Sequence, residues 1–282
     1  MTRIALLGAG GKMGLRLARN LADEPYEVDH VEISQAGRER LADALGVTCA
    51  DPDEALARAD VVLMAVPDAA IGKIARGFVD KIPGGCAVIM LDAAAPHAGE
   101  LPERADITYF VTHPCHPPIF NEETRMEAKT DYFGGEHARQ HIVCALMQGP
   151  EEHYAPCEAI ARAIYKPVMR SHRVSVEQMA ILEPALSETV AATLVTALRE
   201  ATDEAARRGV PHQAAMDFML GHLNVELAIL FEAFPGQFSD GALLAIENAK
   251  AEIFRDGWLD RVFAPEAVMR SVKGICNAAP KG

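Results

Sequence analysis

Basic residues are scarce in this 282-residue chain: 27 Lys and Arg stand against 40 Asp and Glu, a formal net charge of −13. No basic tract offsets that acidic field, which excludes a nucleic-acid binder driven by phosphate neutralisation. Cysteine is sparse as well. Cys49, Cys86, Cys115, Cys144, Cys157 and Cys276 are widely dispersed with no CxxC pair, so a disulfide-stapled secreted fold is not indicated. Long hydrophobic runs are missing too: the most apolar short run, Val61 to Val66, falls far below the ~20 residues of a membrane span. Ile4-Ala5-Leu6-Leu7 enters directly as a strand, with no charged segment and long apolar stretch before it. These absences predict a soluble cytoplasmic protein with free thiols and neither a nucleic-acid nor a membrane partner. Its length implies two domains that together bury roughly 75% of the unfolded surface.

Short β-rich runs at 3–7, 27–33, 47–49, 60–66, 86–91 and 107–112 alternate with helical patterns such as Met13 to Ala22 and Arg38 to Leu45. That alternation predicts parallel strands joined by right-handed crossovers, a doubly wound Rossmann sheet covered on both faces. From about residue 174 the pattern becomes helical. Val174 to Arg207 is bounded by Gly209-Val210-Pro211, Ala214 to Phe234 ends at Pro235-Gly236, and Gly241 to Phe254 follows. The expectation is an α/β nucleotide-binding domain over 1–165 and an all-α substrate and dimerisation domain over 166–282, with the junction in Tyr165 to Arg173.

After the first strand comes Gly8-Ala9-Gly10-Gly11-Lys12-Met13-Gly14, with an amphipathic helix starting at Leu15. A strict G-x-G-x-x-G register fails because its third glycine falls on Met13, whereas G-x-x-G-x-x-G fits through Gly8, Gly11 and Gly14. Such a turn lets backbone N–H groups approach a pyrophosphate at the positive end of the helix. Glu32 closes the second strand 18 residues after Gly14, near the spacing of a carboxylate that accepts from the adenosine ribose hydroxyls. A negative charge there repels a 2′-phosphate and favours NAD over NADP; Arg38 could compensate but lies further into the next helix. The buried strand before Val66-Pro67-Asp68 and the next one before Asp92 end where a dinucleotide's nicotinamide half is expected. For Asp68 and Asp92, capping a helix and touching a ligand are both open.

Thr112-His113-Pro114-Cys115-His116-Pro117-Pro118 follows the sixth run. Its prolines forbid helix and give a stiff extended segment at the same sheet edge. His113 and His116 held there are candidates to take a proton from a hydroxyl or to ligate a metal. Cys115 has no triad and reads as a bystander. On the helix from Val174, Glu183 projects between Met179, Leu186, Val190 and Leu194, an inward face on which a carboxylate needs a cation, a donor or a metal. Pro184 should disturb the helix beside it. Glu188 is the weaker candidate, and His222 reads as a core histidine.

Taken together, GAGGKMG at 8–14, THPCHPPIF at 112–120, EQMAILEPALSETV at 177–190, GVPHQAAMDFMLGHL at 209–223 and FSD at 238–240 resemble the D-apionate oxidoisomerase family. These are NAD-dependent oxidoreductases whose second domain is similar to the helical C-terminal domain of phosphogluconate dehydrogenases. The resemblance implies oxidation of a branched sugar acid, D-apionate, coupled to a carbon shift that gives 3-oxo-isoapionate. It further implies a base among His113 and His116, and a divalent ion (Zn, Mn or Mg) held by His113 and Glu183 to stabilise the oxygens that exchange charge. Ordinary β-hydroxyacid dehydrogenases carry a catalytic lysine on the corresponding helix; here no lysine lies between Val174 and Leu198. A simple NAD dehydrogenase of another hydroxy acid and a non-catalytic NAD-binding protein are the competing readings. The long apolar helices of the C-terminal part suggest a homodimer.

Overall fold

Strand β1 (Thr2–Leu7) is apolar on both sides: Ile4 and Leu6 face one way, Ala5 and Leu7 the other, and all four are buried. Such a strand requires cover on both faces, which βαβ crossovers supply. The structure is a computed structural model that describes residues 1–277. In chain order β1 is followed by α1 (Lys12–Leu21), β2 (Tyr26–Val31), α2 (Gln35–Leu45), α3 (Pro52–Ala57), β3 (Val61–Met64), α4 (Asp68–Phe78), β4 (Ala87–Met90), α5 (Ala94–His97) and β5 (Thr108–Pro114). Then come α6 (Met126–Thr130), β6 (Gln140–Gln148), α7 (Tyr154–Ile164), β7 (Val168–Arg173) and α8 (Val176–Ala180). The sheet order is β2-β1-β3-β4-β5-β6-β7. Two cores follow from the two faces. Leu6, Leu63, Ile89 and Phe110 pack with Leu17 and Leu21 of α1, Leu41 of α2 and Ile160 of α7. Leu7, Met64, Met90 and Val111 pack with Ile71 and Phe78 of α4 and Met179 of α8.

Several expectations need correction. The run at 47–49 is irregular rather than a strand, because the chain only touches the sheet there through the Ala50 N–H to the His30 carbonyl, 2.9 Å. The sheet is not wholly parallel, since β6 pairs antiparallel with β5 before β7 returns parallel to β6. Nor does an all-helical domain begin at 166. The chain divides after Ile181: one unit holds Met1–Ile181 and the chain from Met269, the other Leu182–Val268. β7 and α8 thus complete the first unit, and α8 buries Met179 and Ala180 in it.

The second unit is helical. The segment Ile181–Ala191, which leads into it, is wound as a π-helix around Pro184, and Thr189 Oγ1 donates to the Pro184 carbonyl at 2.7 Å, a five-residue reach that matches that winding. Pro184 has no N–H to donate, which removes a regular helical bond and favours the wider turn. α9 (Ala192–Arg207), α10 (His212–Leu230), α11 (Asp240–Ile253), α12 (Trp258–Phe263) and α13 (Pro265–Cys276) follow, the last crossing back into the first unit. Val176–Arg207 is one helical stretch long and apolar enough to cross a membrane by length and composition alone. It is the exception to the lack of long apolar segments expected from the sequence. Within that stretch Glu183, Pro184 and Glu188 interrupt the apolar surface.

Candidate active site

The carboxyl ends of β1, β3, β4 and β5 lie side by side in the sheet, so the segments that leave them share one edge. From β1 the chain turns through Gly8, whose φ of +74° suits glycine. A Cβ on Gly8 would fall 2.3 Å from the Ala65 carbonyl oxygen, and one on Gly14 would fall 2.1 Å from that of Gly8. The turn is closed this tightly against the end of β3, with Val66 beside it and Pro67 preceding α4, whose first residue is Asp68. Gly11 begins α1 without any side-chain cap, and Ala9, Gly10, Lys12 and Met13 complete the loop. Free N–H groups at a helix start, with no side chain in the way, are what a pyrophosphate needs.

Glu32 is buried at the end of β2. Its carboxylate accepts from Gly10 N–H at 3.0 Å and from Ser34 N–H at 2.8 Å. Burial alone would push its pKa up, but the N–H donors of Ser34 and Gly10 outweigh it and hold the group below the usual carboxylate range. Arg38 Nε donates to the Glu32 carbonyl at 2.7 Å and is thereby tied to the backbone. Gly37 was not anticipated from sequence: Gly10 packs on its backbone so closely that a Cβ on Gly10 would lie 2.3 Å from its carbonyl oxygen. No local pattern signals a contact between the glycine turn and the first turn of α2, 27 residues on.

His113 stands at the carboxyl end of β5 and Asp92 just beyond β4. His113 Nδ1 donates to the Leu91 carbonyl at 2.9 Å, which fixes the tautomer and leaves Nε2 as an acceptor. Asp92 does cap: its Oδ1 accepts from Ala94 N–H at 2.6 Å. Its other oxygen lies 3.7 Å from His113 Nδ1, so the capping residue is also the histidine's acidic neighbour. Burial lowers the His113 pKa, with Asp92 and the Leu91 bond opposing only in part. The imidazole is therefore neutral near pH 7, as a base or a metal ligand must be.

His116 lies 6.2 Å from His113 between ring centroids. Its φ of +60° is the left-handed region, unusual for a non-glycine residue and more so before a proline. Cys115 is exposed and has no catalytic partner among the described residues. Glu183 falls in the first turn of the π-helix, one turn after Met179. The inward face drawn around it is split: Met179 is buried, whereas Leu186 is 46% and Leu194 36% exposed in the single chain. Glu188 is exposed. His222 is not a core residue here; it is exposed, stacked on Phe218 at 3.9 Å, and its Nδ1 donates to the Phe218 carbonyl.

Residues 3–100 match the NAD binding domain of 6-phosphogluconate dehydrogenase, and residues 121–276 match the phosphogluconate dehydrogenase (decarboxylating) C-terminal family. A protein of Rhizobium rhizogenes called D-apionate oxidoisomerase is 58% identical over 275 residues, covering 98% of this chain and 100% of that one. The chain belongs to the D-apionate oxidoisomerase family. A relative of the same name from Cupriavidus necator is 54% identical, covering 97% of this chain and 99% of its own. A crystal structure from Cupriavidus necator, described as a semialdehyde dehydrogenase NAD-binding protein in complex with calcium and NAD, superposes with a TM-score of 0.96 at 54% identity, covering 98% of this chain and 99% of that one. Membership makes the chain an NAD-dependent oxidoreductase, and the glycine turn with Glu32 is the part of it that fits the dinucleotide.

Proposed function

We propose that this protein oxidises D-apionate with NAD and then isomerises the product, acting as a homodimer in the cytoplasm. The observation that carries the reading is the identity of 58% and 54%, over essentially the whole chain, to two proteins named for that activity. The chemistry is consistent with the groups at the sheet edge. Removal of hydride from the hydroxyl-bearing carbon beside the carboxylate leaves an α-keto acid next to a tertiary alcohol. In the shift, one carbon substituent breaks its bond to the tertiary carbon and forms one to the carbonyl carbon. The old hydroxyl becomes the carbonyl and the old carbonyl a hydroxyl, so the second step is redox-neutral.

When bound, NAD supplies the hydride acceptor, and a divalent cation supplies positive charge for the two oxygens that exchange roles. Asp92, His113 and Glu183 are the proposed ligands of that cation: two carboxylates and one imidazole, a mixed donor set that admits Mg, Mn or Zn. The Cupriavidus necator relative crystallised with calcium and NAD supports a metal in the family. Because Nδ1 of His113 is committed to Leu91, a single nitrogen remains for its role. We assign Nε2 of His113 to the cation and the proton acceptor's role to His116, whose own Nδ1 is engaged by the Phe133 carbonyl at 2.9 Å. The homodimer is supported by α10 and α11, neither of which buries a residue in the single chain although Phe218, Leu220, Leu230, Leu243 and Leu244 lie on them. The test is an NADH-release screen over branched and linear aldonates, with and without a chelator. Turnover restricted to the branched acid and stopped by the chelator supports the reading; equal turnover of linear hydroxy acids in chelator contradicts it.

A further inference from the structure

One segment of the first unit has no part in the chemistry above, yet it touches both halves of it. The loop 131–138 is organised by Asp131, whose carboxylate accepts from the N–H groups of Gly134, Glu136, His137 and Ala138 at 2.8 to 3.2 Å. Gly134 and Gly135 follow each other with φ of +72° and +81°, a reversal that side chains would resist. The resulting loop is fastened along α1. Asn20 Nδ2 donates to the Gly135 carbonyl at 2.9 Å, and Arg16 lies 3.8 Å from the Glu136 carboxylate. The ring of Phe133 receives Lys12 Nζ at 5.0 Å and the Arg16 guanidinium at 5.9 Å from its centroid. Both distances are within the range of cation–π attraction.

The other side of Phe133 meets the histidine. Its carbonyl accepts from His116 Nδ1 at 2.9 Å, and its ring stands edge-on to the imidazole at 5.9 Å and 82°. A left-handed backbone followed by Pro117 is strained and persists only where the surroundings hold it. Among the described residues, the Phe133 carbonyl is the hydrogen-bond partner of the His116 ring. Phe133 is 57% exposed, so burial in a core does not account for an aromatic residue at this position.

We propose that Phe133 is a positioning residue that couples the cofactor-presenting end of α1 to His116: its ring seats Lys12 and Arg16 beside the glycine turn while its carbonyl aims the imidazole. The inference rests on the reading that NAD lies against that turn and that His116 belongs to the active site. It predicts that loss of the aromatic face weakens cofactor binding without substrate present, and that cofactor binding is felt at His116.

The experiment is NADH binding by fluorescence titration in the full-length protein without substrate, for wild type, Phe133→Leu, Phe133→Tyr, Lys12→Met and Lys12→Met with Phe133→Leu. The proton on His116 Cε1 is followed by NMR in the same samples, after assignment by substitution of His116. Phe133→Leu should raise the NADH dissociation constant about two- to fivefold, Phe133→Tyr should restore it, and the effect of Phe133→Leu should shrink in the Lys12→Met background. NADH should shift the His116 signal in wild type and Phe133→Tyr but much less in Phe133→Leu and in Lys12→Met. Wild-type affinity in Phe133→Leu, an undiminished effect without Lys12, or a His116 signal that responds equally in all variants overturns the proposal. Should Phe133→Leu not fold, the Lys12→Met arm decides it. If the wild type binds no NADH, the functional reading fails and this inference with it.

Discussion

His113 and Glu32 show how burial and backbone donors set the working charge of a side chain. The neutral state of His113 has a cost that appears on acidification. Its folded pKa lies below the ordinary 6.5 because burial disfavours the imidazolium. The unfolded chain therefore binds that proton more readily, so the contribution to stability is complete above about pH 6.5 and is lost as pH falls toward the folded value. His30 and His141 are shifted the same way by burial and add to the loss. The drop in melting temperature between pH 7 and 5.5 should shrink, but not vanish, in His113→Gln, as scanning calorimetry would register. An unchanged drop would mean that His113 is not buried as a neutral ring. Glu32 acts in the opposite sense, since its pKa is lowered and its charge persists at neutral pH. Glu32→Gln should weaken NADH binding roughly tenfold, the worth of one charge-assisted bond of about 1.5 kcal/mol, and should narrow the preference for NADH over NADPH. Titrations of both nucleotides would measure it, and an unaltered preference would contradict the assignment.

At the scale of elements, the glycine turn has no slack. Gly14→Ala would place a methyl group 2.1 Å from the Gly8 carbonyl oxygen, a backbone atom that cannot swing aside. The variant should lose on the order of 1–3 kcal/mol of stability and bind NADH poorly, both measurable by thermal melts with and without nucleotide. Stabilisation by NADH equal to that of the wild type would count against the turn as the phosphate site.

The turn was legible in sequence because its signal is local: glycines, a strand before and a helix after. Glu32 was legible through its spacing from Gly14. Asp92 was visible as a strand-end carboxylate, but its closeness to His113 depends on β4 and β5 being neighbours, which spacing does not reveal. β6 was missed although His141 to Gln148 is an apolar run, because it follows a long irregular stretch and returns antiparallel. The disturbance at Pro184 on the helix from Val174 is legible as a missing N–H, but its form is not: the segment is rewound as a π-helix, so an angular projection at 100° per residue misplaces the residues beyond. That is why the face around Glu183 appeared more uniformly inward than it is. The apolar neighbours of His222 mark it as a core residue only if they are buried within one chain, and α10 buries none of its residues there.

For the whole molecule, those uncovered helices and the reaction itself are the matters to decide. A homodimer should sediment at twice the 30.4 kDa chain mass, and a single species at the chain mass would reject it. The reaction is tested most directly by the carbon skeleton of the product. Incubation of the protein with NAD, a divalent cation and 13C-labelled D-apionate should give, by NMR, a carbonyl carbon separated from the carboxylate by a quaternary hydroxyl-bearing carbon. A carbonyl bonded directly to the carboxylate, accumulating in step with NADH, would show oxidation without migration and would contradict the account.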